Sequence, residues 1–336
     1  MVLSSSLSYL NLTDLNMISA QKQQLLQTYN HPISWNITGF GSMSHIKYVF
    51  SMLDMCKEKG LGIPIKTIHG CFLSRFNGGR TSLSYTTKEE IKSLVEKFNS
   101  YGVGVKMTLT NTRITPDDLS DPYLNFLLKT LNDGVGNGII CVVDCLAEYT
   151  RENYKNLTIT ASIIKTELET VLGETDTVEY YNNLCERFDE VVINTTRAFD
   201  DEFLSKLKYP EKIEIIANHA CVPDCKCAAQ HHQLIEDLDR IRERCIACNK
   251  DYRTDPDYDD VNGKIKAMLS ACEKRKKLNS IDDTMVQTLN IEEINHLSDM
   301  GFRNFKLEGR DRTLIELAIS VVYYVLNRDS AVINMY

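Results

Sequence analysis

The sequence predicts a (β/α)8 barrel of the TIM type, because eight short apolar runs alternate with helical patterns along its 336 residues. Alternation of strands and helices is typical of a parallel sheet that is covered by helices. Eight such units within about 300 residues match a closed barrel. An open, doubly wound sheet is the rival fold. A glycine-rich phosphate-binding motif after the first strand would favour that fold. Gly39-Phe40-Gly41 lacks the third glycine of the motif, so this signal is weak.

The strands are predicted from short apolar or β-branched runs that end in polar residues or glycine. A mixed polar segment over residues 1–30 precedes them and is interpreted as an N-terminal cap. The eight predicted strands are 33–37, 63–69, 103–109, 138–143, 158–164, 190–193, 213–217 and 302–307.

The helices are predicted from apolar residues that recur every three or four positions. Ile46, Val49, Phe50 and Leu53 have this spacing after a possible cap at Ser44. Leucines repeat in the same way over 123–131, and a glycine follows the pattern of 88–101, as is common at helix ends. Further helices are predicted at 151–155, 178–188, 200–207, 228–244, 291–299 and 313–326.

The interval between the seventh and eighth strands is longer than one strand–helix unit. Residues 219–290 hold the five clustered cysteines of 221–248, an acidic stretch and a basic helix-like segment at 264–277. We interpret this interval as a cysteine-bearing excursion over the mouth of the barrel. Residues 1–336 are then a single barrel domain.

Composition and charge limit the partners. The net charge of -8 disfavours nucleic acid and anionic membranes, so RNA binding would depend on the basic segment 264–277. The sequence contains no run of about 18 apolar residues, so no membrane-spanning helix is predicted. The N-terminus lacks the basic start and the apolar segment of a secretory signal, and the eleven cysteines are too few for a disulfide scaffold. A cytoplasmic protein is expected.

Polar residues at the ends of the predicted strands mark a candidate pocket, because barrel active sites lie at the carboxyl ends of strands. Asn and Asp at such positions are equally typical of turns and helix caps. The candidate substrate-binding residues are Trp35, Asn36, His69, Asn111, Asp144, Asn194, Asn218 and Arg310. Asn77 and Arg80 join them from the loop after the second strand, where two glycines allow a ligand to approach and arginines can clamp an anion.

The cysteines after the seventh strand predict a metal site. Cys221 and Cys225 form one short pair, and Cys245 and Cys248 form another, with Cys227 as a substitute ligand. Four thiolates suit either a tetrahedral zinc ion or a [4Fe–4S] cluster. Ordinary, unliganded thiols are the alternative.

The segment Gly301–Arg310 reads G-F-R-N-F-K-L-E-G-R. It resembles the segment G-x-x-x-x-K-I-E-G-R that U32 peptidase-like proteins carry on a late barrel strand, and the cysteines after the preceding strand are also similar to that family. The resemblance implies a barrel with a four-cysteine [4Fe–4S] cluster. It further implies either oxygen-independent hydroxylation of RNA bases or quinone precursors, or peptidase activity. No Ser/His/Asp set and no HExxH motif supports proteolysis.

Three residues near the end of the seventh and eighth strands are the catalytic candidates: His219, Lys306 and Glu308. Lys306 and Glu308 are two positions apart on a strand and so point the same way, and a charged pair inside a barrel is costly unless it is used. We expect Glu308 to lie beside Lys306 or Arg310. The sequence predicts an iron–sulfur enzyme that acts on a small polar or nucleotide-linked substrate. A non-catalytic binding protein with a structural zinc and a peptidase are the alternatives.

Overall fold

The chain forms a closed barrel in a computed structural model that describes residues 29–60, 62, 65–78, 84–171, 176–219, 225, 227–272, 288–309 and 313–326. Neighbouring strands run parallel in sequence order, and the first pairs with the last. The strands are β1 (Ser34–Phe40), β2 (Ile65–Gly70), β3 (Gly104–Leu109), β4 (Gly138–Cys141), β5 (Thr158–Ala161), β6 (Glu190–Val192), β7 (Ile213–Ile216) and β8 (Asn304–Leu307). The predicted (β/α)8 fold is confirmed.

Helices alternate with these strands. They are α1 (Met43–Glu58), α2 (Lys88–Ser100), α3 (Pro122–Asn132), α4 (Asp144–Asn153), α5 (Ile163–Val171), α6 (Val178–Arg187), α7 (Asp201–Leu204), α8 (Ala228–Ala247), α9 (Tyr258–Ala271), α10 (Ile291–Asp299) and α11 (Leu314–Ser320). Several begin with a capping box, as α2 does. The side chain of Thr87 accepts a hydrogen bond from the backbone N–H of Glu90, and the side chain of Glu90 accepts one from the backbone N–H of Thr87. None of the helices within the described residues has both the length and the apolar character to cross a bilayer.

The alternation of side chains along each strand separates the lumen of the barrel from the apolar core outside its wall. Successive side chains of a strand point to opposite faces of the sheet. On β3, Val105 and Met107 belong to the apolar core, whereas Lys106 reaches Glu190 on β6. The barrel wall therefore has an apolar outer face and a lumen with polar side chains.

Two helices begin where the sequence predicted something else. The predicted short helix at 151–155 is the end of α4, which starts at Asp144. The strand predicted at 158–164 stops at Ala161, and α5 follows from Ile163. The β-branched residues at 163–164 favoured a strand, but the hydroxyl of Ser162 accepts a hydrogen bond from the backbone of Ile164 at 3.2 Å and turns the chain into the helix.

Residues 228–272 form a helical hairpin between β7 and β8. Helices α8 and α9 enclose a small apolar cluster of Ile241, Cys245 and Val261. The predicted basic segment 264–277 is described only as far as Cys272, where it forms the end of α9. The predicted N-terminal cap lies outside the described residues, except for Tyr29 and Asn30.

Candidate functional site

A buried ion pair spans the lumen between β3 and β6. The Nζ atom of Lys106, which is 1% exposed, donates to Glu190, and Lys66 donates to the same carboxylate at 2.6 Å. Burial raises the pKa of Glu190, but the charges of Lys106 and Lys66 outweigh it and lower the pKa overall. Burial lowers the pKa of Lys106, and Glu190 and Glu214 reverse the shift. Both partners are therefore charged at neutral pH.

A second buried ion pair joins β7 and β8. Lys306 Nζ lies 3.2 Å from Glu214 Oε2, and the side-chain amide of Asn36 donates to the other oxygen of that carboxylate. The hydroxyl of Thr67 in turn donates to the side-chain oxygen Oδ1 of Asn36 at 2.6 Å.

Asn36 was predicted to bind substrate and Lys306 to be catalytic, but the structure places both in this lumen network. Glu308 was predicted to lie beside Lys306 or Arg310. Lys306 contacts Glu214 instead, and Arg310 lies outside the described residues.

Glu308 instead meets His219 at the carboxyl ends of β7 and β8. His219 Nδ1 lies 3.0 Å from Glu308 Oε2, and the two side chains are 6% and 19% exposed. A carboxylate only accepts hydrogen bonds, so the neutral imidazole carries its proton on Nδ1. Nε2 is then the ring nitrogen that can take up or release a proton.

Asn218 fixes the position of this pair. Its amide nitrogen donates to the Glu308 carbonyl oxygen at 3.1 Å, and its amide oxygen accepts from the Glu308 backbone N–H at 2.7 Å. His69, also near the rim, donates from Nε2 to the Leu307 carbonyl oxygen at 3.1 Å. The structure thus brings four of the predicted site residues to the same end of the barrel, at β2, β7 and β8: His69, Asn218, His219 and Glu308.

Other predicted pocket residues have structural contacts. Trp35 is fully buried outside the lumen, 5.5–6.1 Å from the rings of Tyr29, Phe305 and Tyr324. Asn194 is a helix cap whose side chain accepts from the backbone of Thr196. Trp35 was misplaced because a residue on a short strand changes face with a shift of one position.

Asn111 and Asp144 stabilise local structure. Asn111 donates to the Arg75 carbonyl oxygen at 2.6 Å and accepts from the Arg113 backbone at 2.7 Å. Asp144 lies 3.1 Å from Lys165 and 2.9 Å from Arg187. Burial raises the pKa of Asp144, but the hydrogen bond from Arg187 and the charge of Lys165 lower it overall. This carboxylate is an ion-pair partner at neutral pH.

Helix α8 lies on the loops that follow β2 and β3. Asn77 donates to Asp239 at 3.2 Å, and Thr112 donates from its backbone and its hydroxyl to Glu236 at 2.8 and 3.0 Å. Both acidic residues are fully buried. Asn77 therefore binds α8, a contact that no local sequence signal indicated.

The glycine beside Asn77 has a packing role. A Cβ atom on Gly78 would lie 2.4 Å from the Thr110 carbonyl oxygen, so only glycine allows the loop to approach β3 so closely. The predicted anion clamp at this loop is not tested, because Arg80 lies outside the described residues, as does Arg310 after β8.

The predicted four-cysteine ligand set does not fit a single site. Cys225 precedes α8, whereas Cys245 and Cys248 lie at its far end. At a rise of about 1.5 Å per residue this 20-residue helix is about 30 Å long. A zinc ion holds each sulfur at about 2.3 Å, so its ligands lie within about 5 Å of one another. The substitute ligand, Cys227, is at the near end with Cys225, and Cys221 lies outside the described residues.

No group of three or more potential metal ligands occurs among the residues that the structure describes. The cysteines were misassigned because their spacing in the sequence carries no information on the length of the helix between them. Cys245 instead packs in the helical hairpin, 3.6 Å from Asp255.

No protein-family model matches the chain. No curated protein matches it either. Among solved structures, the chain is similar to the U32 peptidase Mk0906, with 14% sequence identity and a TM-score of 0.49 over 88% of this chain and 100% of that chain.

Proposed function

We propose that the protein is an enzyme that transfers protons to or from a small polar substrate at the carboxyl-terminal mouth of its barrel. The observation that carries the proposal is the 3.0 Å contact between His219 Nδ1 and Glu308 Oε2. A histidine held by a carboxylate is a general acid–base group, since the carboxylate sets the tautomer and stabilises the imidazolium form. Barrel enzymes place such groups at the ends of strands.

The roles follow from the contacts. His219 exchanges the proton through Nε2, and Glu308 orients and stabilises the ring. Asn218 is a positioning residue, because its side chain binds the backbone of Glu308. No step is assigned to zinc or an iron–sulfur cluster, because the cysteines do not fit one site. The hydroxylation and peptidase activities implied by the U32 resemblance stay predictions.

The test compares His219→Gln and Glu308→Gln with the unchanged protein in a small-molecule extract. We expect mass spectrometry to show a metabolite that only the unchanged protein consumes, at equal melting temperature for all three proteins. His296→Gln is the matched control, because His296 also contacts a carboxylate, Asp201 at 2.9 Å, but is exposed on α10. Consumption at the same rate by all four proteins would contradict the proposal.

A non-catalytic binding protein is the second candidate, and the filled lumen favours it. Lys106, Glu190, Glu214 and Lys306 occupy the barrel interior with at most 5% exposure. These side chains leave the mouth, rather than the lumen, as the place for a ligand. A protein that binds a small molecule without converting it, and does so equally well with His219→Gln, would support this second function.

A further inference from the structure

A groove beside α8 forms a separate potential binding site. It has a volume of about 650 Å³, within the range of about 300–1,000 Å³ that is usual for ligand sites. The loops after β2 and β3 form one side, and the last turns of α8 form the other. Its polar lining consists of Arg75, Arg113, Thr115, Asp118, Asp121, Arg240, Glu243 and Arg244.

Three of the four arginines already have carboxylate partners. Arg75 lies 3.3 Å from Asp118 and 2.8 Å from Asp121. Those two aspartates also cap local helical turns, Asp118 through Thr115 and Asp121 at the start of α3. These contacts account for Arg75 as part of the folded structure.

Arg113 and Arg244 are paired in the same way. Arg113 lies 2.5 Å from Asp237 and 3.5 Å from Glu236, and Arg244 contacts Asp255 and Asp257. Together with Arg75 and its two partners, three arginines therefore face six carboxylates, of which Asp118 and Asp121 line the groove itself. A purely anionic ligand thus meets three guanidinium charges that are already neutralised.

Arg240 and Glu243 differ from these pairs. Within the described part of the chain neither makes an ion pair, although they are three positions apart on one helix and so lie on neighbouring parts of its surface. Burial raises the pKa of Glu243, and the charges of Arg75 and Arg240 only partly offset this. The groove thus offers one guanidinium and one carboxylate that make no ion pair among the described residues.

We propose that this groove binds a small zwitterion of the free amino acid class. Its carboxylate pairs with Arg240, and its ammonium group lies against Glu243 and the aspartates of the groove. A guanidinium binds a carboxylate through two parallel hydrogen bonds, which orients the ligand. The site is independent of the His219–Glu308 pair, so either proposal can fail alone.

The experiment is isothermal titration of the full chain with each of the twenty common L-amino acids, and with inorganic phosphate as the purely anionic probe. We expect saturable binding of at least one amino acid and none of phosphate. The N-acetyl and the amide derivatives of the best ligand each lack one of its two charges, so both are expected to bind at least about tenfold more weakly, equivalent to about 1.4 kcal/mol.

Variants assign the binding to the groove. Arg240→Gln and Glu243→Gln are each expected to weaken binding by at least about tenfold. Arg253→Gln is the matched control, since Arg253 is exposed and pairs with Asp251 outside the groove, and it leaves binding unchanged. Binding that survives both groove substitutions, equal binding of the N-acetyl derivative or of phosphate, or no binding by any amino acid would each overturn the proposal.

Discussion

The lumen and the mouth of this barrel both contain buried charges, but they differ in how those charges are held. In the lumen, Lys106 and Glu190 lie on strands of a rigid sheet and are almost fully enclosed. At the mouth, Glu236 of α8 is fully buried, yet the arginine nearest to it, Arg113, is 37% exposed. Charges enclosed on all sides are costly to leave unpaired, whereas water can replace a half-exposed partner. We therefore expect the lumen charges to serve stability, and we propose the mouth as the place of ligand contact.

The largest loss of stability is expected when one partner of a buried ion pair in the lumen is replaced. Lys106→Met leaves Glu190 buried without its closest cation, which is expected to lower the free energy of unfolding by about 3–5 kcal/mol. Urea denaturation measures it. The double variant Lys106→Met/Glu190→Leu removes both charges and is expected to recover most of the loss. A double variant as unstable as the two single losses combined would show that the pair does not act as a unit.

The second-largest loss of stability is expected at acid pH, where Glu190 in the lumen becomes protonated. The pKa of Glu190 is lowered in the folded protein, so its contribution to stability is complete above the unfolded value of about 4.3 and is lost as the pH falls through the folded value. We expect the unfolding midpoint of the unchanged protein to fall more steeply below pH 4.3 than that of Glu190→Gln. Equal slopes in denaturation curves recorded over this range would contradict the ion-pair assignment.

A smaller effect is expected where α8 contacts the barrel. Glu236→Ala leaves the backbone N–H and hydroxyl of Thr112 without their acceptor, at a cost of about 1–3 kcal/mol. Hydrogen exchange should show faster opening of α8 than of the strands. Gln233→Ala, on the exposed side of the same helix, is the control and should exchange like the unchanged protein. Uniform acceleration over the whole barrel would mean that α8 and the barrel unfold together.

No effect on metal content is expected when Cys245 and Cys248 are replaced. Because α8 separates them from Cys225 and Cys227, Cys245→Ser/Cys248→Ser should leave any bound iron or zinc unchanged after anaerobic purification. Elemental analysis checks this, with Cys225→Ser/Cys227→Ser as the matched variant. Loss of metal only in the Cys245→Ser/Cys248→Ser variant would restore those residues as ligands.

The sequence was sufficient for the barrel because each strand and each helix carries its own local pattern. It was insufficient for the lumen, since Lys106 and Glu190 are 84 positions apart and meet only when the sheet closes. A signal was present but not used: Lys106, Glu214 and Lys306 each interrupt an apolar strand with one charge. Those positions point inward, and opposite charges on different strands of a barrel can pair.

The site was predicted in part for the same reason. His219 and Glu308 stand at the ends of strands that the sequence defines well, so their placement at the rim followed from the fold. Their mutual contact depends on the register of β7 against β8, which no local pattern fixes. The contact between Asn77 and α8 likewise depends on the path of an interval that has no strand periodicity.

Closure by the pairing of β1 with β8 has a consequence for synthesis on the ribosome. Asn36 is among the first described residues to be made, yet its neighbour on the closing strand, Lys306, emerges some 270 positions later. Until then Glu214 lacks its cation, and β1 and β7 each present an unpaired edge. A nascent chain must therefore be kept from aggregation at both edges until its last strand arrives, and that strand brings the lysine that neutralises Glu214.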